Sequence, residues 1–324
     1  MPSTQEFRRR IKSVNNTKQI TKAMEMIASI KMQKAVRTIG QARAYIQNAW
    51  NILALLANKT LPEDHPLINP KHVGRTAIIL VTSDRGLCGS YNAEIIKKFV
   101  SVIPAPDQVE GKTPAGIQKN KELDPRVKPE DDTILLKGSS IDVIAIGKVG
   151  AGYVRKYQAG NLIAEFPSFE NNVTVENIHP ISKLAIGDYL AGNYDKVVLI
   201  YSHFVSSLKQ IPVVQQILPV TDKNISAKDL WVAEESNTEL EYKFEPNPQA
   251  VVEALLKQIL GTQIFGAVLE GNASEHSARM VAMKGATDNA KNLIDELTLI
   301  YNSVRQDSIT REIAEISGAA ESMK

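Results

Sequence analysis

The chain has 324 residues, a formal net charge of +2, 43% hydrophobic and 23% charged residues, and 6% aromatics. That composition is ordinary for a globular protein of about two domains, with too little glycine and proline for a fibrous or low-complexity chain. A single cysteine, Cys88, excludes an internal disulfide and a cysteine-based metal cluster. The five histidines are scattered without ligand spacing, and no apolar run approaches the ~20 residues needed to cross a bilayer. The opening residues lack the apolar core of a secretory signal.

The small net charge hides an asymmetry. Residues 1–43 carry ten Lys/Arg against Glu6 and Glu25, a net of +8, whereas residues 250–324 carry seven basic and ten acidic residues, a net of −3. A basic end on a near-neutral chain implies an acidic partner: nucleic acid, anionic lipid or an acidic protein surface.

The first segment, 1–60, lacks proline between Ser3 and about Asn58 and ends at Leu61-Pro62. As one helix it spans roughly 80 Å. Its register holds Val14, Thr17, Thr21, Met24, Ala28, Lys31, Ala35, Thr38, Ala42, Tyr45, Ala49, Ile52 and Leu56, mostly small residues. Such a seam allows close approach but buries little area, so it holds less tightly than a leucine zipper.

Residues 74–246 read as an α/β unit. Thr76–Thr82, Ile141–Ile146 and Lys196–Tyr201 are short, nearly continuous apolar runs, suited to strands buried on both faces of a parallel sheet. Helical stretches follow at Asn92–Ile103, Gly150–Gln158 and Val175–Gly192, and Val213–Val220 is a further strand candidate. This alternation predicts a central doubly wound, Rossmann-like parallel sheet. Five prolines between Pro104 and Pro129, with many charges, mark residues 104–138 as a polar insertion, a solvated loop dispensable for the fold.

The last segment, 247–324, opens with Asn247-Pro248, a cap followed by a first-turn proline, and runs for roughly 115 Å as a helix. Met283, Ala286, Ala290, Leu293, Leu297, Ile300 and Val304 alternate at spacings of three and four, a heptad seam. The phase then slips and resumes at Ile309, Ile313, Ile316 and Ala320. Two long segments bracketing a compact insert predict an antiparallel coiled coil of the N- and C-terminal helices.

Three stretches invite an enzymatic reading. Glu110-Gly111-Lys112-Thr113 ends like a phosphate-binding loop but has Pro106 where the first glycine belongs. Gly147-Lys148-Val149-Gly150-Ala151-Gly152 sits between a strand and a helix, where amides can hold a phosphate, yet its spacing differs from G-x-G-x-x-G. Ser83-Asp84-Arg85-Gly86-Leu87-Cys88-Gly89 offers a thiol without a base in sequence reach, so Cys88 reads as a small buried residue and Asp84-Arg85 as a docking pair. These residues suggest a non-enzyme with no catalytic, cofactor-binding or metal-binding residues. One reading of such a chain is a coiled-coil scaffold that binds nucleic acid or a membrane surface through its basic helix, and a dinucleotide enzyme with helical arms is another.

Ile20–Met26, Ser83–Gly89, Glu275–Lys284 and Tyr301–Thr310 together resemble the gamma subunit of F-type ATP synthase, in order and over nearly the whole chain. The departure is the 104–138 insertion, where that family usually has a shorter connection. The resemblance implies a central rotor shaft inside a ring of three alpha and three beta subunits, with no cofactor of its own and catalysis left to the beta subunits. The foot would meet the epsilon subunit and the membrane c-ring. No nucleic acid is implied, and membrane association would be indirect, on the cytoplasmic face of a bacterial inner membrane. By motif, Arg305, Gln306 and Thr310 would form a catch with a beta-subunit loop, with Arg85 as a second contact. Met24 would sit near the moving beta-subunit lever, and Lys18, Lys22, Lys34 and Arg37 would face acidic surfaces. Ile309, Ile313, Ile316 and Ala320 would turn in a hydrophobic bearing.

Overall fold

The computed structural model describes residues 4–60, 74–103, 140–169, 173–219 and 248–322. The proline-rich stretch 104–138, with Glu110-Gly111-Lys112-Thr113 inside it, lies outside the described residues, as do Leu61-Pro62 and Asn247.

Helix α1 (Thr4–Thr60) and helix α5 (Pro248–Ser322) are 57 and 75 residues long. Between them, in chain order, come β1 (Arg75–Val81), α2 (Tyr91–Val102), β2 (Ser140–Ile146), α3 (Lys148–Tyr157), β3 (Asn161–Phe166), α4 (Val175–Leu190), β4 (Lys196–Phe204) and β5 (Gln210–Leu218). The strands form one mixed sheet in the order β3-β2-β1-β4-β5.

Four strands run parallel, while β5 pairs antiparallel with β4. The sheet is therefore not parallel throughout, as the apolar runs suggested. Only residues 205–209 separate β4 from β5, and a hairpin of that length permits only the antiparallel return. Strand β3 is absent from the sequence reading for a related reason. It is an edge strand whose residues alternate between exposed and half-buried, so it lacks the continuous apolar run of a central strand.

The two sheet faces carry separate cores. Ala77, Ile79 and Val81 of β1 point to the side covered by α4 and α5, where Ile178, Ile181, Ile264 and Val268 are buried. Ile78 and Leu80 point to the side covered by α2 and α3, against Ile95, Phe99 and Val154. This period-two division explains why β1 is apolar along its length.

Helices α1 and α5 lie against one another. Thr21 meets Thr287, Ala35 lies by Asn272, and Ala42 by Phe265, so positions rise along one helix as they fall along the other. On α5 the buried and half-buried line is Met283, Thr287, Ala290, Ile294, Leu297, Tyr301 and Val304. Leu293 and Ile300, assigned to the seam from sequence, are 42% and 38% exposed. From each shared position the residues at +3 and +4 flank the same line. Ala286 and Thr287 are both half-buried, whereas beyond Ala290 the packing selects the second, Ile294 and Tyr301. The same shift on α1 exposes Thr17 and half-buries Lys18. Among the described residues no helix is long and apolar enough to cross a membrane.

Candidate partner-docking face

In an α/β sheet, ligands bind outside the carboxyl ends of the strands, at the point where strand order reverses. Here that point lies between β1 and β4, and α5 occupies the space beside it. Glu270, Ser274, Glu275 and Ser277 are all buried there. Ser274 Oγ donates to the Ser202 carbonyl (3.0 Å) and Ser277 Oγ to the Ser207 carbonyl (2.5 Å). Tyr91 Oη donates to the Gly271 carbonyl (3.1 Å), and His203 Nδ1 lies 2.6 Å from Glu270 Oε2. Burial raises the Tyr91 phenol well above its usual range, with the Glu275 carboxylate adding to the effect. The polar groups of this stretch of α5 are bound by the protein's own strand β4, the loop after it and helix α2.

The glycine-rich turn after β2 is likewise filled from within. A Cβ at Gly147, where φ is +97°, would stand 2.2 Å from the Thr82 carbonyl oxygen, and one at Gly150 would stand 2.8 Å from Thr82 Oγ1. These glycines serve a close backbone approach. The first-turn amides of α3 all have internal acceptors. Lys148 N–H donates to Asp84 Oδ1 (2.9 Å), Val149 N–H to the Ser83 carbonyl (3.1 Å), and Gly150 N–H to Thr82 Oγ1 (2.9 Å).

The loop 83–90 between β1 and α2 is fixed along its length. Ser83 N–H donates to Asn92 Oδ1 (3.1 Å), Asn92 Nδ2 donates to Ser83 Oγ (2.7 Å), and Ser83 Oγ donates to the Arg85 carbonyl (2.7 Å). Cys88 is buried, with Ser83, Asn92 and the Arg85 carbonyl around its sulfur, and burial pushes its thiol up. That environment suits a structural thiol rather than a nucleophile. Asp84, read from sequence as half of a docking pair, is an internal ligand: its second carboxylate oxygen accepts the Ser168 N–H (3.1 Å). One short, half-buried carboxylate thus accepts from backbone donors on two other segments, an arrangement that sequence adjacency to Arg85 conceals.

Arg85 itself is exposed, beside Leu87 at 63% exposure. Across a cleft of about 290 Å³ stand Met24, Ile27 and Lys31 of α1 and Arg279 of α5. Arg279 pairs with Glu275 (2.7 Å) and donates to the Gly86 carbonyl (3.4 Å). The structure thus brings Met24 and Arg85 to one face. Ile20, Ile27 and Ile30 continue it as exposed apolar residues, 55–67% open. The sequence reading missed this second stripe, although spacings of seven and three carry its signal.

The remaining candidates stand elsewhere. Lys18 is half-buried on the α5 side, while Lys22 is exposed and pairs with Glu25 at 3.1 Å. Lys34 and Arg37 are exposed farther along α1. Arg305, Gln306 and Thr310 lie exposed on α5, about 40 Å beyond Arg279 by helical rise. Ile313 and Ile316 are 62% and 66% exposed toward its end, where the side chain of Ala320 lies outside the described residues. Among the described residues no group of three or more His, Cys, Asp or Glu side chains could hold a metal ion.

The family described as ATP synthase matches residues 3–323. The ATP synthase gamma chain of Nitrosomonas europaea is 36% identical over 321 residues, covering 99% of each chain. That of Chlorobaculum tepidum is 35% identical over 325 residues, covering 100% of both. Among solved structures, a chain of the Euglena gracilis mitochondrial ATP synthase OSCP/F1/c-ring structure aligns at a TM-score of 0.61 and 15% identity, over 99% of this chain and 94% of that one. One from the Tetrahymena thermophila central stalk and c-ring aligns at 0.51 and 22% identity, over 82% and 99%. At those identities the structural matches speak for the fold.

Proposed function

The chain belongs to the ATP synthase gamma-chain family, and we propose that it is the central-stalk rotor of a proton-translocating F-type ATP synthase, a non-catalytic subunit. Residues 1–60 and 247–324 form an antiparallel coiled-coil shaft, and residues 74–246 form the α/β foot. The shaft stands within three alpha and three beta subunits. The foot meets the epsilon subunit and the membrane c-ring, peripheral to the cytoplasmic face of a bacterial inner membrane.

The observation that carries this reading is α5 itself. One helix is hydrogen-bonded into the foot at Gly271, Ser274 and Ser277 and then runs on beyond it beside α1. Rotation imposed on the foot is delivered to the shaft without an intervening loop. A partner's conformational equilibrium shifts only when one of its states is bound better than another. An off-axis shaft makes that difference for each beta subunit in turn.

The contacts must also release at every step. Exposed ion pairs contribute only ~0.2–1 kcal/mol each, so Lys22, Lys34, Arg37 and Arg85 can engage acidic surfaces without trapping the shaft. Met24 meets the moving lever, Arg305, Gln306 and Thr310 form the catch with Arg85 as a second contact, and Ile313 and Ile316 turn in an apolar bearing. Lys18, half-buried, contributes its ammonium at the edge of the seam.

Reconstitution with alpha and beta subunits tests the reading. ATP hydrolysis should require this chain, and hydrolysis equally fast without it would refute the assignment. A steep salt-dependent affinity for nucleic acid would instead favour a basic-helix scaffold.

A further inference from the structure

The segments after β1, β2 and β3 meet at a single carboxylate. Asp84 Oδ1 accepts the N–H of Lys148, the first residue of α3, at 2.9 Å, and Oδ2 accepts the N–H of Ser168 at 3.1 Å. The free amides of a helix start carry the positive end of its dipole and attract an anion. In folds of this layout, the oxygens of a bound phosphate fill that position. Asp84 supplies the anion from within the chain, and Val149 and Gly150 donate to Ser83 and Thr82 beside it.

The residues that follow are held between this seat and α5. The backbone turns through Leu87 (φ 64°) and Gly89 (φ 58°), and Arg279 reaches the Gly86 carbonyl from the opposite side. Arg85 and Leu87 therefore project from a loop tied at both ends.

We propose that Asp84 is a positioning residue: a built-in anion seated on the start of α3 that fixes where Arg85 and Leu87 meet a partner. This rests on the reading of Arg85 as a partner contact. Charge-assisted bonds are about twice as strong as neutral ones, so the ionised carboxylate, and not merely its shape, holds the loop.

Asp84→Gly removes the equivalent of one acetate ion, and acetate in solution is the matching replacement. Trypsin cleavage after Arg85 in the full chain reads loop opening directly. Cleavage of Asp84→Gly should be about tenfold faster than that of wild type, the scale of losing a charged acceptor. Acetate should slow it again, while chloride at equal ionic strength should not. Asp84→Asn retains the volume and serves if the glycine variant fails to fold; its cleavage should fall between the two. Wild-type cleavage in either variant, or acetate no better than chloride, overturns the proposal.

Hydrolysis by the chain assembled with alpha and beta subunits separates the two readings. Asp84→Gly should lower it with recovery in acetate, and Arg85→Ala should lower it without recovery. Full hydrolysis in Arg85→Ala alongside acetate-sensitive cleavage of Asp84→Gly would overturn the contact reading of Arg85 while supporting the carboxylate seat.

Discussion

Thr287 Oγ1 donates to Thr21 Oγ1 across 2.8 Å, joining two helices whose contacting residues are 266 positions apart in the chain. On either side of the bridge the seam carries the small residues Ala28 and Ala290, both buried. Close approach of the two backbones makes so short a bridge possible.

Because both helices turn as one body in the proposed rotor, covalent linkage at that bridge should not interfere with rotation. The double variant Thr21→Cys with Thr287→Cys, oxidised within the reconstituted assembly, should retain hydrolysis close to that of its reduced form. A loss on oxidation that reductant reverses would show that the helices must slide past each other.

Arg305 and Gln306 stand exposed on α5, away from the foot. Their joint replacement by alanine should lower ATP hydrolysis while leaving assembly with alpha and beta subunits largely intact. Size-exclusion chromatography alongside steady-state hydrolysis measures both, and full activity in the double variant would remove the catch assignment.

Arg279 is nearly buried and pairs with the buried Glu275. Arg279→Met should lower the thermal stability of the chain by about 3 kcal/mol, because it leaves a buried carboxylate without its guanidinium. An unchanged melting curve would mean that the pair contributes nothing net.

Gly147 offers a backbone test of the same region. With φ at +97° and the Thr82 carbonyl 2.2 Å from a would-be Cβ, Gly147→Ala should destabilise the fold by roughly 3 kcal/mol through strain and overlap together. Denaturant unfolding of the two proteins measures the difference.

Alkaline pH should weaken the foot. Burial, assisted by Asp195, raises the Tyr189 phenol to about 12, and burial with Asp142 and Asp188 nearby raises Tyr194 to about 12. The unfolded chain loses those protons near pH 10, while the folded chain keeps them, so stability is complete below pH 10 and falls as pH rises toward 12. Replacing both with phenylalanine should flatten that decline, which thermal unfolding between pH 9 and 12 reads out.

The parts of this molecule legible from sequence are those whose signal is local. β1 announces itself because both its faces are buried, so Ala77–Val81 contains no polar interruption. β3 does not, because an edge strand needs no such run. The long helices follow from the absence of proline, but the choice between Leu293 and Ile294 at the seam depends on which residue α1 presents. At the candidate site, Ser83–Gly89 and Glu275–Lys284 are recognisable as separate motifs, yet the bond from Arg279 to Gly86 spans 193 positions. The inward turn of Asp84 and outward turn of its neighbour Arg85 depend on where α3 begins in space, which no spacing within the loop encodes.

Beyond Val304 every described side chain of α5 through Gly318 is exposed. The same helix below that point is flanked by α1 and, lower still, wedged against the sheet. Torsional stiffness is therefore graded along one continuous element: firm at its root, doubled through its middle, and that of a single helix for about the last 20 Å. In the proposed rotor, torque taken off near Met24 and Arg85 is borne by the firm root, and only what is passed on to the catch at Arg305, Gln306 and Thr310 loads the slender end.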